Sequence, residues 1–280
     1  MTSSQDKILD NIEVLMESAQ DAMSSASDKA SVGLLELIND SLASLKTRKD
    51  GTIISSIENL KQLQSIKPQI DKYLNYGSYS KSVAGYLKEF KETRLLIDSY
   101  FVSIIEDYES NTEIYKAIAD NNVFTTVDAL LNTGVDANFK QPIIEGLQKQ
   151  VGTGTSIKEL KAYLKGRLID KPELNRYVDQ VASDSIRQFE RQYMQAVSDD
   201  LGLSHYLYRG TAISDTREFC NVRHGKYYTK EQVKSWAYLT PWSGQIRGTN
   251  ETNIFVYLGG YKCRHKLIPV SRAIYENSKK

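Results

Sequence analysis

Apolar residues recur at three- and four-residue steps through the first two hundred positions of this 280-residue chain. One stripe runs from Ile8 to Met23, and another runs from Leu34 to Leu45. This spacing places apolar side chains on one face of an α-helix, which completes a turn in about 3.6 residues. The pattern therefore predicts a helical body over most of the chain.

The longest predicted helix runs from about Ser80 to Asp107, where apolar residues approach a heptad repeat. That repeat is typical of a helix that packs along a partner helix. A further helix is predicted between Pro172 and Gly202, because proline suits a first helical turn and glycine suits a helix end.

Shorter helices are indicated by their end signals. Ser156 with Glu159 has the spacing of a capping box, in which each residue satisfies a backbone amide of the other. The stripe that begins at Ile53 and ends at Leu63 predicts a helix that stops before Pro68.

The period changes after residue 202. The runs HYLYRG (205–210) and NIFVYLGG (253–260) are aromatic and β-branched and end at glycine, which predicts strands. Between them, Thr229 and Gln232 have capping-box spacing, which predicts one short helix. The fold class expected is α+β, with a mostly α-helical N-terminal body and a small mixed α/β C-terminal domain.

These patterns predict three regions. Residues 1–115 form an N-terminal long-helix region, residues 116–200 a second helical region, and residues 201–280 a small basic α+β domain that contains the cysteines and histidines.

Charge is distributed unevenly along the chain. Residues 201–280 hold 13 Lys and Arg against 5 Asp and Glu, a net charge of +8, whereas the preceding residues carry −7. Both Cys, both Trp and all three His also lie in this C-terminal part. Such asymmetry points to an interaction surface, so any chemistry of the protein is expected here.

Other classes are disfavoured by simple features. No run approaches the roughly 18 apolar residues that a membrane helix needs, so no membrane span is predicted. The first twenty residues lack the basic and apolar regions of a secretory signal. Two cysteines do not indicate a disulfide framework.

Two Cys/His pairs are candidates for a metal site. Cys220 and His224 are separated by three residues, and Cys263 and His265 by one. Thiolates and imidazoles are the ligands that zinc prefers, and four of them could close a tetrahedral Zn²⁺ site. Two alternatives remain open: a disulfide between the cysteines, or buried thiols beside hydrogen-bonded histidines.

The basic residues of the C-terminal part are interleaved with aromatic residues. Lysine and arginine neutralise phosphates, and aromatic rings stack on bases. The alternatives are a solvated basic face or the complement of an acidic protein. The candidate DNA- or partner-binding residues are Arg209, Arg223, Lys226, Arg247, Lys262, Arg264 and Lys266.

Two enzyme interpretations are weaker. The segment YRGT (208–211) resembles the arginine-bearing strand of mono-ADP-ribosyltransferases, but no Glu-x-Glu follows it. A metal-dependent nuclease needs a histidine base beside its metal; CRHK (263–266) suggests such a motif, but no histidine-rich partner strand accompanies it. We expect no enzymatic step, and a metal-dependent DNA-processing enzyme with a Cys/His centre is the alternative.

The segments YRGTAISDTREFCNVRHGKYYTKEQVKSW and GGYKCRH resemble the C-terminal signature of tailed-phage minor head proteins, the Mu F-like head morphogenesis family. The resemblance covers roughly residues 180–272. Two departures concern the metal site: His265 stands where many relatives have Cys, and Cys220-x3-His224 replaces a Cys-x-x-Cys. The matching positions are Tyr208, Gly210, Asp215, Thr216, Arg217, Cys220, Gly225, Lys226, Cys263, Arg264 and His265.

The resemblance implies a structural virion protein that aids head assembly, DNA packaging or ejection by binding. Its partners would be portal and capsid proteins and packaged double-stranded DNA. Its location would be the capsid interior or neck, and the host cytoplasm during assembly.

Six residues are expected to shape the motif rather than to bind a ligand. Asp215 would cap or turn its loop, and Arg217 would pair with a carboxylate or with backbone carbonyls. The glycine pair would allow a tight turn after the strand NIFVYL. The set is Asp215, Thr216, Arg217, Gly225, Gly259 and Gly260.

Overall fold

The computed structural model describes residues 2–279, and most of them are helical. π-helical turns continue α6 and α8 over Asp136–Lys140 and Gly166–Asp170. The predicted helical body is thus confirmed. The helices before the first strand are α1 (Ser3–Leu42), α2 (Ile57–Gln64), α3 (Ile66–Tyr76), α4 (Ser78–Ile104), α5 (Thr112–Leu131), α6 (Thr133–Val135), α7 (Gln141–Gly152), α8 (Ile157–Lys165) and α9 (Glu173–Asp200).

The remaining elements form a small mixed α/β part, as the α+β fold class requires. Its antiparallel sheet has the strand order β2-β1-β3, and Arg209 of β1 is the register partner of Lys266 of β3. The elements are β1 (His205–Gly210), α10 (Glu218–Asn221), β2 (Tyr227–Thr229), α11 (Lys230–Ser235), α12 (Ile254–Tyr257), β3 (His265–Val270) and α13 (Arg272–Asn277).

The long predicted helices are confirmed. Both N-terminal apolar stripes lie on the single 40-residue helix α1, except Leu45, which follows its last residue, Leu42. Helix α4 ends three residues before Asp107, whose positive φ of 56° leaves helical geometry. Helix α9 begins directly after Pro172 and stops before Gly202, which has a φ of 67°.

Both capping boxes are present, at Ser156 with Glu159 and at Thr229 with Gln232. The helix predicted to stop before Pro68 is present as α2, which ends at Gln64 but begins at Ile57 rather than at Ile53. Pro68 does not separate it from a loop, because it is the third residue of the next helix, α3. A proline is tolerated in a first turn, where backbone amides have no intrahelical acceptor.

The strand predicted for NIFVYLGG was wrong. Residues 254–257 form the short helix α12, and the loop before it is closed by a hydrogen bond from the Asn250 amide to Asn253 Oδ1 at 2.7 Å. Leu258 then has a φ of 42°, which breaks any extended run. The strand that pairs with β1 is instead β3, whose six residues are all buried. Composition alone did not distinguish two adjacent apolar runs.

The described chain divides into two units. Unit 1 comprises residues 2–18, 88–123 and 183–279, and unit 2 comprises residues 19–87 and 124–182. The domain boundaries at 115/116 and 200/201 stay a prediction.

Each unit has its own apolar core. The core of unit 1 includes Leu9, Ile12, Met16, Phe90, Ile97, Tyr100, Phe101, Ile186, Phe189, Tyr193, Tyr206, Tyr208, Ile254 and Ile268. That of unit 2 includes Met23, Leu34, Ile38, Leu63, Ile66, Ile70, Leu74, Phe139, Ile143, Leu147, Leu160, Leu164, Leu168 and Val178.

Candidate metal centre

Two thiols and an imidazole meet in the core of the small mixed α/β part. Cys220 lies on α10, Cys263 lies in the turn before β3, and His265 is the first residue of β3. Their exposed fractions are 2%, 3% and 3%. One ligand atom from each of the three lies within 4.8 Å of the others. This group could hold a metal ion.

The donor set and spacing suit zinc. The Sγ atoms of Cys220 and Cys263 are 3.8 Å apart. A tetrahedral centre with metal–sulfur bonds of about 2.3 Å separates its sulfurs by about the same 3.8 Å. A disulfide would bring them to about 2.05 Å, and both cysteines are free in this structure.

His265 leaves part of its hydrogen-bonding capacity unused. Its Nε2 atom is buried and has no hydrogen-bond partner among the described residues. The ring of Tyr208 stacks on the imidazole at 5.2 Å between centroids. A buried polar atom without a partner costs free energy, so a ligand that binds Nε2 would remove that cost.

The electrostatics of the sulfur pair favour a thiolate at Cys263. A hydrogen bond from the Cys220 thiol lowers the pKa of Cys263 well below its usual range, against the opposing effect of burial. The same interaction, together with burial, raises the pKa of Cys220. Tyr208 donates its hydroxyl hydrogen to Cys220 Sγ at 3.3 Å. The thiolate is the form of cysteine that binds metals.

Glycine at position 259 makes room for the sulfurs. A Cβ atom there would lie 2.4 Å from Cys220 Sγ and 2.9 Å from Cys263 Sγ. Gly260 has a φ of 95°, and a Cβ on it would lie 1.8 Å from the Gly244 carbonyl oxygen. Gly259 therefore packs against both sulfurs, and Gly260 forms the tight turn beside them. The turn was predicted, but it follows the helix α12 rather than a strand.

The turn at Cys263 is held by α9. Asp184 accepts a hydrogen bond from the backbone amide of Lys262 at 2.6 Å. Arg191 donates to the carbonyl oxygens of Val256, at 2.9 Å, and Cys263. These bonds position the residues on both sides of the glycine pair.

A buried charge cluster lies on the neighbouring residues. The Lys266 ammonium forms ion pairs with Glu190 and, at 3.7 Å, with Glu13. Arg187 also pairs with Glu13, at 2.6 Å. Burial raises the pKa of Glu13, but the charges of Lys266 and Arg187 outweigh burial and lower it overall.

Local sequence patterns revealed neither Arg191 nor this charge cluster, and they indicated Lys266 only as a DNA- or partner-binding residue. The signal was present, because Glu190 lies four residues after Ile186 and four before Met194, on the buried stripe of α9. A charged residue on an apolar stripe requires a buried partner, but the partner lies far away in the sequence.

His224, the fourth predicted ligand, does not join the group of three. It is exposed, and its ring lies edge-on to His265 with 5.5 Å between centroids. Partial loss of solvent around the ring lowers the pKa of His224, with smaller effects from the nearby His265 and Arg209.

The residues of the Asp-Thr-Arg segment, 215–217, lie in the loop between β1 and α10, next to the Cys/His group. Asp215 is exposed, and Thr216 Oγ1 accepts a hydrogen bond from the Ile213 amide at 2.7 Å. Arg217 donates to the Tyr261 carbonyl oxygen at 2.8 Å, which joins this loop to the turn before Cys263. Gly225, with a φ of 72°, turns the chain between α10 and β2.

Several of the predicted DNA- or partner-binding residues form ion pairs within unit 1. Arg209 pairs with Asp6 at 2.5 Å and with Asp10 at 2.7 Å, and Arg264 contacts Glu17 at 3.3 Å. With Glu13, these acidic residues recur on α1 at steps of three and four. The basic C-terminal part and the acidic start of the chain thus neutralise each other in part.

The other basic candidates differ in exposure. The Arg223 guanidinium lies over the Phe219 ring at 3.9 Å and the Trp236 ring at 4.7 Å. Lys226, Arg247 and Lys262 are exposed.

A cleft of about 420 Å³ borders the Cys/His group. Cys220, Cys263 and His265 all line it. Its charged lining residues are Asp215, Arg217, Lys262 and Arg264. The group is therefore buried but adjoins space that a small polar molecule could enter.

No protein-family model, curated protein or solved structure matches this chain. Across residues 2–279, no helix has both the length and the apolar character needed to cross a membrane.

Proposed function

We propose that this chain is a minor head protein of a tailed phage, a structural virion component that binds portal and capsid proteins and lies near packaged DNA. The C-terminal part would be held together by a Zn²⁺ ion bound to Cys220, Cys263 and His265. No enzymatic step is part of this proposal.

One observation carries the proposal. The two sequence segments that resemble the head morphogenesis family, 208–236 and 259–265, meet around one Cys/His group. Gly210 contributes to this packing, because a Cβ there would lie 2.6 Å from His265 Cα. The motif residues thus act together in positioning one centre, as expected of a structural motif.

The charge distribution supports a binding role at the surface. The ion pairs of Arg209, Arg264 and Lys266 use part of the basic charge internally. Lys226 and Arg247 remain exposed and are suited to contact phosphates or an acidic protein.

The test is the protein content of phage particles. Quantitative mass spectrometry of purified, DNA-filled heads and of empty procapsids should detect this chain in a few copies per particle. Its absence from both, together with a gene neighbourhood that lacks portal and terminase genes, would overturn the proposal.

DNA proximity has a separate test. Binding of the purified protein to double-stranded DNA should weaken with salt, and the slope of log K against log salt should shrink by about 0.9 for each phosphate contact removed. Lys226→Gln and Arg247→Gln should each reduce the magnitude of this slope. Lys81→Gln, at an exposed residue of unit 2, is the control and should leave the slope unchanged. Salt-independent binding would contradict a phosphate contact.

A second candidate function is a metal-dependent DNA-processing enzyme. The cleft beside the Cys/His group favours it, because catalytic zinc sites keep three protein ligands and one open position. DNA cleavage by the purified protein that His265→Ala abolishes and Lys226→Ala preserves would establish this alternative over the structural role.

A further inference from the structure

The number of ligands in the Cys/His group is its unusual property. Structural zinc sites are closed by four protein ligands, whereas three leave one position open. In residues 2–279, Cys220, Cys263 and His265 form the group, and no fourth His, Cys, Asp or Glu joins it within the same 4.8 Å spacing. The fourth ligand must therefore come from elsewhere or from a movement of the chain.

His224 is the nearest histidine, but its position differs from that of the three ligands. It is exposed, whereas they are buried. Its ring packs edge-on against His265. It lies at the turn that follows α10, where its amide donates to the Cys220 carbonyl oxygen at 2.9 Å. In this arrangement His224 supports the His265 ring and does not occupy a coordination position.

The cleft provides the other route to the group. All three ligand residues line it, and the buried Nε2 of His265 lacks a hydrogen-bond partner among the described residues. Three basic residues line the same cleft, Arg217, Lys262 and Arg264, against one acidic residue, Asp215. Arg264 also contacts Glu17. The excess of positive charge favours an anion.

Arg217 is the basic residue best placed to select that anion. It uses one guanidinium nitrogen, Nη2, to donate to the Tyr261 carbonyl oxygen. A guanidinium has five N–H donors in a planar fork, which matches the oxygens of carboxylate and phosphate. The bond to Tyr261 would fix the side chain at the cleft and leave other donors for a ligand.

We propose that the fourth ligand of the metal centre is an oxyanion, a phosphate or a carboxylate, that enters from this cleft and is bound by Arg217. The inference rests on the metal centre of the proposed function. It assigns to the centre a ligand-binding role besides holding the fold together.

The test uses the full-length protein loaded with Co²⁺, which reports ligand number through its visible absorption bands. In a buffer without oxyanions, the protein is titrated separately with inorganic phosphate and with acetate. We expect saturable shifts of the bands with at least one of them, and the tighter of the two identifies the type of oxyanion.

The variants separate the roles of Arg217 and His224. Arg217→Gln should weaken oxyanion binding about tenfold, the value expected for a lost charge-assisted hydrogen bond, while Co²⁺ affinity is retained. Arg217→Lys should have an oxyanion affinity between those of the wild type and Arg217→Gln. This intermediate value would show that the loss in Arg217→Gln does not come from misfolding. Lys81→Gln, at an exposed residue outside the cleft lining, should match the wild type. His224→Ala should leave the oxyanion-free spectrum unchanged.

Three results would overturn the inference. One is a wild-type spectrum that neither phosphate nor acetate changes. Another is a large change of the oxyanion-free bands in His224→Ala, which would assign the fourth position to His224. The third is a failure to bind Co²⁺ or Zn²⁺ at all, which would also remove the metal centre. None of these results bears on the presence of the protein in phage heads, so the virion role is tested independently.

Discussion

Asn59 in unit 2 and His265 in unit 1 are polar side chains that are buried to the same extent but differ in their hydrogen bonding. Asn59 is 2% exposed, and each polar atom of its amide is used. Its Oδ1 accepts from the Lys46 amide at 2.8 Å, and its Nδ2 donates to the carbonyl oxygens of Lys46 and Ile54 at 2.9 and 2.7 Å. His265 is 3% exposed, and its Nε2 has no partner among the described residues.

This difference in hydrogen bonding indicates that Asn59 has a structural role alone. The Asn59 side chain replaces backbone partners in the segment before α2, so the protein itself satisfies it. The Nε2 atom of His265, with two thiols nearby, has no such partner among the described residues. An unpartnered buried nitrogen that lies beside two thiols therefore indicates a ligand site more strongly than residue type alone does.

The largest effect is expected from the charges next to His265. Glu190→Ala leaves the Lys266 ammonium buried with only the more distant Glu13, and should lower the free energy of unfolding by about 3–5 kcal/mol. Urea denaturation measures this loss. The double variant Glu190→Leu with Lys266→Met should recover most of it, since the charges leave together. Glu276→Ala, which breaks an exposed pair with Arg272, should change stability by less than about 1 kcal/mol.

The effect of zinc on stability should depend on His265 and not on Asn59. At a free Zn²⁺ concentration one hundred times its Kd, the wild type should gain about 2.7 kcal/mol of unfolding free energy. A chelator should reverse the gain. Denaturation with and without zinc should show the same gain in Asn59→Ala and none in His265→Ala. An equal gain in His265→Ala would place the zinc elsewhere.

Asn59→Ala should destabilise the protein by about 2 kcal/mol, because it leaves two carbonyl oxygens and an amide without their partner. The loss should be the same with and without zinc in urea denaturation. Asn138→Ala is the control: this exposed side chain bonds the Gly134 carbonyl oxygen and the Tyr177 hydroxyl at the surface, and its loss should cost less than about 0.5 kcal/mol. A zinc-dependent loss at Asn59 would break the contrast between the two sites.

Gly259→Ala should destabilise the protein by about 1–2 kcal/mol, because its Cβ would lie within 3 Å of both sulfurs. It should also weaken metal binding, which a competition titration with a zinc indicator measures. Gly85→Ala in α4 is the matched control, since nothing lies within 4 Å of the added Cβ. There alanine should stabilise the helix by up to about 1 kcal/mol.

The smallest effect concerns pH. The pKa of Glu13 is lower in the folded protein than its ordinary value of 4.5, so its ion pairs stabilise the fold above that pH. This contribution should disappear as the pH falls through the lowered pKa, because protonation removes the charge that Lys266 and Arg187 contact. Thermal denaturation between pH 6 and about 3 should show a shallower fall for Glu13→Gln than for wild type. Equal slopes would contradict the assigned pairing.

The sequence predicted most of the secondary structure because the signals are local. The stripes of α1, α4 and α9 and both capping boxes depend on residues within a few turns of each other. The helix α3, which was not predicted and has Pro68 in its first turn, and the strand predicted at NIFVYLGG concern places where local signals are ambiguous. An early proline is compatible with a first turn, and a short apolar run forms a strand only if an edge is available to it. The edge of β1 is paired with HKLIPV instead.

The candidate site was predicted only in part. Cys220, Cys263 and His265 are rare residues close to glycines, so composition identified them, and the structure brings them together. His224 was an equally good candidate ligand by sequence, but it lies outside the group. The charged residues of α9 gave a weak signal, because their partners come from α1 and β3.

The sequence alone thus determined the helical body, the change to a mixed α/β C-terminal part and the residues able to bind a metal. Only the tertiary structure decided which three of the four candidate ligands meet, and which basic residues face carboxylates of the same chain. The physical reason is range. Helix periodicity and capping act over a few residues, whereas the pairing of Arg209 with Asp6, or of Cys220 with Cys263, depends on how distant segments pack.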